Sequence, residues 1–274
     1  MHPSVPAPAP SLSPPAATVA EPGGGAIAFF VLACATTWLL ALPTNLAWMQ
    51  HRTPSPLAIA GAGFSAFGPL LAALVLAAPR RQLGQVFGRW RTNPIWILVA
   101  IAGAPLMHFI STALFAAIGG HPTQWFYPPD SPALVAALIV FPLGEEFGWR
   151  GFAYPRMVAR FGVVRGCLIL GALWGVWHLG YCITPDTGRF DLLGLGITVT
   201  ELPFYAVLLG WLFERGNRSM AVAIAGHAGA HLDKLDRAPR HDLRLQIVHL
   251  FVVAGFALFA AGALARRQRR GQAG

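Results

Sequence analysis

The sequence predicts an all-α, polytopic membrane protein, and three observations carry that reading. Charged residues make up 11% of the chain and hydrophobic residues 55%, whereas a soluble domain is roughly a quarter charged. So few charges cannot cover a watery surface, so lipid must cover it. Apolar stretches close to the roughly 20 residues needed to cross a bilayer core follow one another along the chain. The arginines between them cluster on alternate connections, as the positive-inside rule requires for one common face.

Eight stretches are expected to be helical: about Ala26 to Met49, Leu57 to Ala78, Pro94 to Ile118, Pro132 into Glu145-Glu146, Val163 to Ile183, Leu192 to Phe213, Met220 to Leu232 and Leu245 to Ala265. The fourth is interrupted by charge and the seventh is too short to span alone. Both must be shielded by protein or line a water-filled cavity. Residues 1–25 are rich in Pro, Ala and Ser without periodicity and read as a disordered tail rather than a signal peptide. A transmembrane domain over 26–265 and a basic tail over 266–274 follow.

Arg80, Arg81, Arg89 and Arg91 follow the second stretch. Arg156, Arg160 and Arg165 follow the fourth, and Arg266, Arg267, Arg269 and Arg270 end the chain. These connections read as cytoplasmic, with both termini on that side. Gly119–Ser131, with Trp125, Phe126 and Tyr127, and Thr184–Phe190 read as external. Asp233–Arg244 is external in this scheme yet carries basic residues, against the rule. The net charge of +9 belongs to these topological clusters, and no basic stripe interleaved with aromatics points to nucleic acid. Cys34, Cys167 and Cys182 lie in or beside apolar stretches without metal or disulfide spacing, so they read as packing residues.

Ionisable groups inside a bilayer cost several kcal/mol unless paired or hydrated, so the glutamates after Val140-Phe141-Pro142-Leu143-Gly144 carry the sharpest chemical signal. Adjacent helical residues point about 100° apart. Glu146 and Arg150 have the i, i+4 spacing of a helical ion pair, which leaves Glu145 to face a cavity as a general base for water. Three histidines on other segments are candidates to face it: His178, and His227 with His231 one turn apart, separated by small residues that admit a close neighbour. Together they would assemble a base, an imidazole partner and oxyanion donors. Trp149, Trp174, Trp177, Phe147 and Tyr154 read as packing residues. His108 reads as a helix–helix hydrogen-bonding residue, and His121, His241 and His249 as interfacial or loop residues.

The run Glu145-Glu146-Phe147-Gly148-Trp149-Arg150 resembles the Glu-Glu-x-x-x-Arg motif of the CAAX protease and bacteriocin-processing (CPBP, or Abi) membrane proteases. Trp174 to His178 is similar to that family's aromatic-x-x-x-His motif, and His227 begins a third motif, His-x-x-x-Asn. The resemblance covers about residues 130–235 and implies an intramembrane endopeptidase like the prenyl-protein CAAX endopeptidases. It implies that Glu145 and His178 activate water, that His227 holds the oxyanion, and that Glu146 and Arg150 support them. His231 replaces the family's Asn and creates a His-x-x-x-His pair with metal-binding spacing. A metal-free mechanism is the expectation, with zinc admitted at Glu145, His178, His227 and His231. The expected partners are the lipid bilayer and a peptide or membrane-protein substrate. The Ala, Gly, Pro and Arg bias points to a bacterial inner membrane, where prenylated CAAX substrates are not expected. A proton-coupled transporter and a non-catalytic scaffold are the rival readings; no inverted repeat supports the transporter.

Overall fold

A computed structural model describes residues 25–122, 124–125, 129, 131–232 and 242–272. The proposed tail over residues 1–24, Phe126, Tyr127 and the anomalous connection 233–241 lie outside the described residues. Among the described residues the regular structure is helical, apart from two isolated β-bridges. It is an all-α polytopic membrane protein.

The elements are α1 (Ala26–Met49), α2 (Pro56–Phe64), α3 (Gly68–Ala77), α4 (Leu83–Phe87), α5 (Pro94–Ala117), α6 (Pro132–Glu146), α7 (Tyr154–Phe161), α8 (Val163–Trp177), α9 (Leu192–Arg215), α10 (Met220–Leu232) and α11 (Leu243–Gln272). Seven helical segments among the described residues are long and apolar enough to cross a membrane, and α10 is the short eighth. Helix α11 continues into the basic segment through Gln272. Ser55, Asn93 and Ser131 each cap a helix with the side chain and are followed by proline. The side-chain oxygen satisfies a backbone N–H that the helix leaves open, and Pro at the first position has no N–H to satisfy.

The second span is not one straight helix, since a 3-10 turn over Ser65–Phe67 separates α2 from α3. The fourth does not end at the glutamates either. A π-helical stretch, Phe147–Ala153, carries it into α7, so Pro132–Phe161 runs as one 30-residue segment. Such widened turns are rare and recur at functional sites. Here two glycines allow the widened segment to touch its neighbours' backbones. A Cβ on Gly148 would lie 2.5 Å from the Pro69 backbone, and one on Gly151 would lie 2.1 Å from the Val86 carbonyl oxygen.

The arginine-bearing connections gather at one end of the bundle. The Met220 N–H donates to the Arg89 carbonyl at 2.6 Å, and Arg156 donates to the Gln82 side chain at 2.7 Å. Arg267 donates to the Glu214 carbonyl at 2.9 Å, and the Val163 N–H donates to the Gln268 side chain at 3.4 Å. The sequence pattern therefore corresponds to a single basic face. At the other end an Ile183–Phe190 bridge closes the 184–189 turn, and Trp125 packs on Phe109.

Candidate active site

The widened segment between α6 and α7 holds two side-chain pairs at i, i+4. Arg150 Nη1 donates to Glu146 Oε1 at 2.8 Å, and both side chains are buried. Trp149 Nε1 donates to Glu145 Oε2 at 3.3 Å. Successive positions point apart along a helix, so the adjacent carboxylates are handed to different partners, one cationic and one neutral.

Helices α8 and α10 complete the cluster. Trp174 of α8 donates its indole N–H to Glu145 Oε2 at 2.9 Å, and its ring lies 5.1 Å from the Arg150 guanidinium. From α10, His227 donates from Nδ1 to Glu146 Oε1 at 2.8 Å and directs Nε2 at Glu145 Oε1, 3.9 Å away. His231 stacks on His227, ring centroids 4.8 Å apart. His178 opens a 3-10 turn after α8 and packs against Trp174, Trp177 and Tyr181. The Trp174 carbonyl, 2.9 Å from His178 Nδ1, can only accept, so Nδ1 carries the proton and Nε2 the lone pair.

Glu146 and Arg150 form the expected ion pair. Glu145 is not an unpartnered side chain facing a cavity. It is 4% exposed, with one oxygen held by two indoles and the other toward His227. Trp149 and Trp174 were expected only to pack. They do pack, in an aromatic cluster with Phe29, Phe30 and Trp177, and they are also the donors that fix Glu145. The signal was available, because Trp149 lies one turn from Glu145 and Trp174 is the aromatic residue four before His178. Trp177 donates to Thr37 Oγ1 at 2.7 Å, and Tyr154 donates to Glu214 at 3.1 Å.

His249 is corrected from an interfacial residue to a buried one, 5% exposed. It lies 3.0 Å from Ser111 Oγ and 3.1 Å from Glu201 Oε1. His108, read as a hydrogen bond between helices, is buried in ring contact with His249 of α11, and its hydrogen bond with Thr112 at 3.4 Å lies within α5; His121 is exposed in the connection after α5. His241 lies outside the described residues.

Donor atoms of Glu145, His227 and His231 lie within 4.8 Å of one another, a set of one carboxylate and two imidazoles that suits a divalent metal; His178 is not one of the three. Glu146 Oε2 and Arg150 Nε and Nη2 are buried without a hydrogen bond among the described residues. Buried polar atoms of this kind call for a partner.

The family model described as "Type II CAAX prenyl endopeptidase Rce1-like" matches residues 128–232, the stretch that bears all six of these ionisable residues. Over that stretch the chain is similar to the CPBP membrane proteases. A curated relative, "CAAX prenyl protease 2" of Methanococcus maripaludis, is 22% identical over 177 residues, or 60% of this chain. The match spans 64% of that protein's length. Within the matched region, α6, the π-helical stretch, α8 with the 3-10 turn that follows it, and α10 supply every residue of the cluster.

Proposed function

We propose that this chain is a CPBP-type intramembrane endopeptidase that hydrolyses a peptide bond at or within the membrane, with water activated at Glu145. The observation that carries the proposal is the handling of two adjacent carboxylates. Glu146 is taken up by Arg150 and His227, while Glu145 keeps one oxygen toward His227 Nε2. In this mechanism Glu145 Oε1 takes a proton from water as the water oxygen attacks the scissile carbonyl carbon. His178 Nε2 accepts a hydrogen bond from the water's other hydrogen and so orients it for that transfer. The carbonyl π electrons move to oxygen, and that oxyanion is met by N–H donors from the His227–His231 pair. Collapse breaks the C–N bond, and Glu145 returns its proton to the leaving amine. The helical domain 26–265 carries this core at about 130–235, its arginine-rich end toward the cytoplasm of a bacterial inner membrane.

The decisive experiment is cleavage of a membrane peptide library by reconstituted protein. Glu145→Gln keeps the shape and both indole contacts and removes the base. It is expected to stay folded and inserted but lose cleavage; wild-type cleavage by Glu145→Gln overturns the mechanism.

A second reading is supported by the clustering of Glu145, His227 and His231. These residues would hold a zinc ion, which when bound supplies a Lewis acid and lowers the pKa of bound water. The two readings part at His231. In the metal-free mechanism His231→Asn keeps a donor and most of the activity, and removing that donor by His231→Ala costs on the order of a hundredfold or more in rate. If zinc is required, His231→Asn fails too, because a carboxamide is a poor zinc ligand, and purified wild-type protein carries stoichiometric zinc by elemental analysis. We favour the metal-free mechanism, in which Glu145 Oε1 acts on the water directly.

A further inference from the structure

Away from the glutamates, α9 and α11 frame two hollows that share Trp211 and Phe259 in their walls. One is apolar, about 770 Å³, closed at the back by α5 and bounded by Gly226 of α10. The other, about 460 Å³, lies at the basic end and is lined by Arg215, Arg266, Arg267 and Glu214. Trp211 and Phe259, in ring contact with each other, are the wall common to both, so a cationic mouth and an apolar groove adjoin along α9 and α11.

The charge of the mouth is not balanced from within. Glu214 is its carboxylate, and Glu214 Oε1 already accepts from Tyr154 at 3.1 Å and Arg218 at 2.8 Å. Arg215 reaches over the Trp96 ring at 5.4 Å, and Arg267 uses one nitrogen on the Glu214 carbonyl. Three guanidiniums therefore share an exposed mouth with one already neutralised acid. Guanidinium is the side-chain group best shaped for a phosphate.

The depth is also informative. On α11 the apolar lining runs from Phe251 to Ala260, about 14 Å at 1.5 Å per residue. That is close to half of the roughly 30 Å hydrocarbon core, the depth of one leaflet. Trp96 and Trp211, in edge contact at 5.9 Å, mark the boundary where aromatic residues gather at membrane interfaces. A single leaflet-deep groove below a basic mouth matches one amphiphile in size and charge.

We propose that the mouth and groove together bind one anionic phospholipid, its phosphate on Arg215, Arg266 and Arg267 and an acyl chain in the groove between α5, α9 and α11. The lipid chain lies against Gly226, next to His227, and braces α10 from the side opposite the glutamates. The site is separate from the proposed chemistry, and its test does not depend on cleavage.

Two glycines make that test clean. Gly103 and Gly255 both line the groove, and a Cβ on either would meet nothing within 4 Å. Gly255→Leu therefore projects into the groove from a Cβ position that meets no protein atom and also improves helix propensity. Protein purified from phosphatidylglycerol/phosphatidylcholine vesicles is examined by native mass spectrometry for retained lipid and by thermal unfolding with each lipid added back. Wild-type protein is expected to retain phosphatidylglycerol in preference to phosphatidylcholine. Arg215→Gln/Arg266→Gln should weaken that retention by on the order of thirtyfold, from about 1 kcal/mol per arginine. Gly255→Leu should lose it while melting normally without added lipid, and inorganic phosphate should shift neither readout. Equal retention of the two lipids overturns the phosphate assignment. Retention undiminished in Gly255→Leu overturns the groove, leaving only surface attraction, and a phosphate-induced shift equal to the lipid's assigns the mouth to a free anion.

Discussion

Arg150→Ala puts the site's electrostatics to the test. The guanidinium is 2% exposed, and its partner Glu146 is fully buried, so neither charge has water to fall back on. Removing one member of such a pair strands the other and typically costs about 3–5 kcal/mol, far above the 0–1 kcal/mol of an exposed pair. The contact with the Trp174 ring at 5.1 Å is lost as well and adds about 0.5–2 kcal/mol. The readouts are thermal unfolding in mild detergent and cleavage, measured on Arg150→Ala, Glu146→Gln and the double variant. Glu146→Gln removes the charge that Arg150→Ala would strand. The double variant is therefore expected to be less destabilised than the sum of the singles, by roughly 0.5–3 kcal/mol of coupling. Both singles should lose activity with stability, because His227 donates to the same Glu146 oxygen at 2.8 Å. An Arg150→Ala protein that melts normally but does not cleave would refute the ion-pair account and assign the guanidinium to the substrate. Additive singles would refute the coupling.

Trp174→Phe keeps the aromatic packing and removes one donor to Glu145; it should cost about 1.5–3 kcal/mol, as for a bond to a charged acceptor, and lower kcat more than KM for a reporter peptide. Trp149→Phe should show a smaller effect in the same assays, since its contact is longer at 3.3 Å. Gly151→Ala drives a methyl against the Val86 carbonyl and should cost about 1–3 kcal/mol by overpacking, read as a lower melting temperature, whereas Gly103→Ala should melt like wild type. His249→Leu breaks the contacts with Ser111 and Glu201 and should destabilise the protein by about 1–3 kcal/mol, as losing the partner of a buried polar group does, with cleavage of the folded fraction unchanged.

Much of the architecture was legible because lipid imposes a coarse rule: every span must be long, apolar and internally hydrogen-bonded. Helices α1, α5, α9 and α10 accordingly match the apolar stretches within a residue or two. The rule says nothing about the turn type inside a span, so the 3-10 turn at Ser65–Phe67 and the π-helical stretch at Phe147–Ala153 could not be read from hydropathy. The π-helical stretch coincides with close approaches such as that of Gly148 to Pro69, which depend on a neighbour distant in sequence. The same limit applied at the site. The Glu146–Arg150 pair was legible because both members lie on one helix four residues apart. The Trp174–Glu145 bond spans 29 residues, and His249 was assigned from its nearness to a segment end, which does not reveal that Glu201 of α9 faces it.

The identity of the donors to Glu145 bears directly on function. A lysine or arginine at position 149 or 174 would also have satisfied a buried carboxylate, and with more energy, since charge-assisted bonds are the stronger ones. It would have neutralised the group as well. An indole N–H donates without adding a charge, and its apolar body suits a bilayer setting, so Trp149 and Trp174 orient Oε2 while leaving the carboxylate's charge and its other oxygen uncommitted. The cation of the motif is spent one residue away on Glu146, where His227 Nδ1 is also fixed. Two chemically identical side chains, adjacent in sequence, thereby come to differ in what holds them. One is a neutralised anchor that positions an imidazole. The other is an oriented carboxylate whose second oxygen points toward that same imidazole.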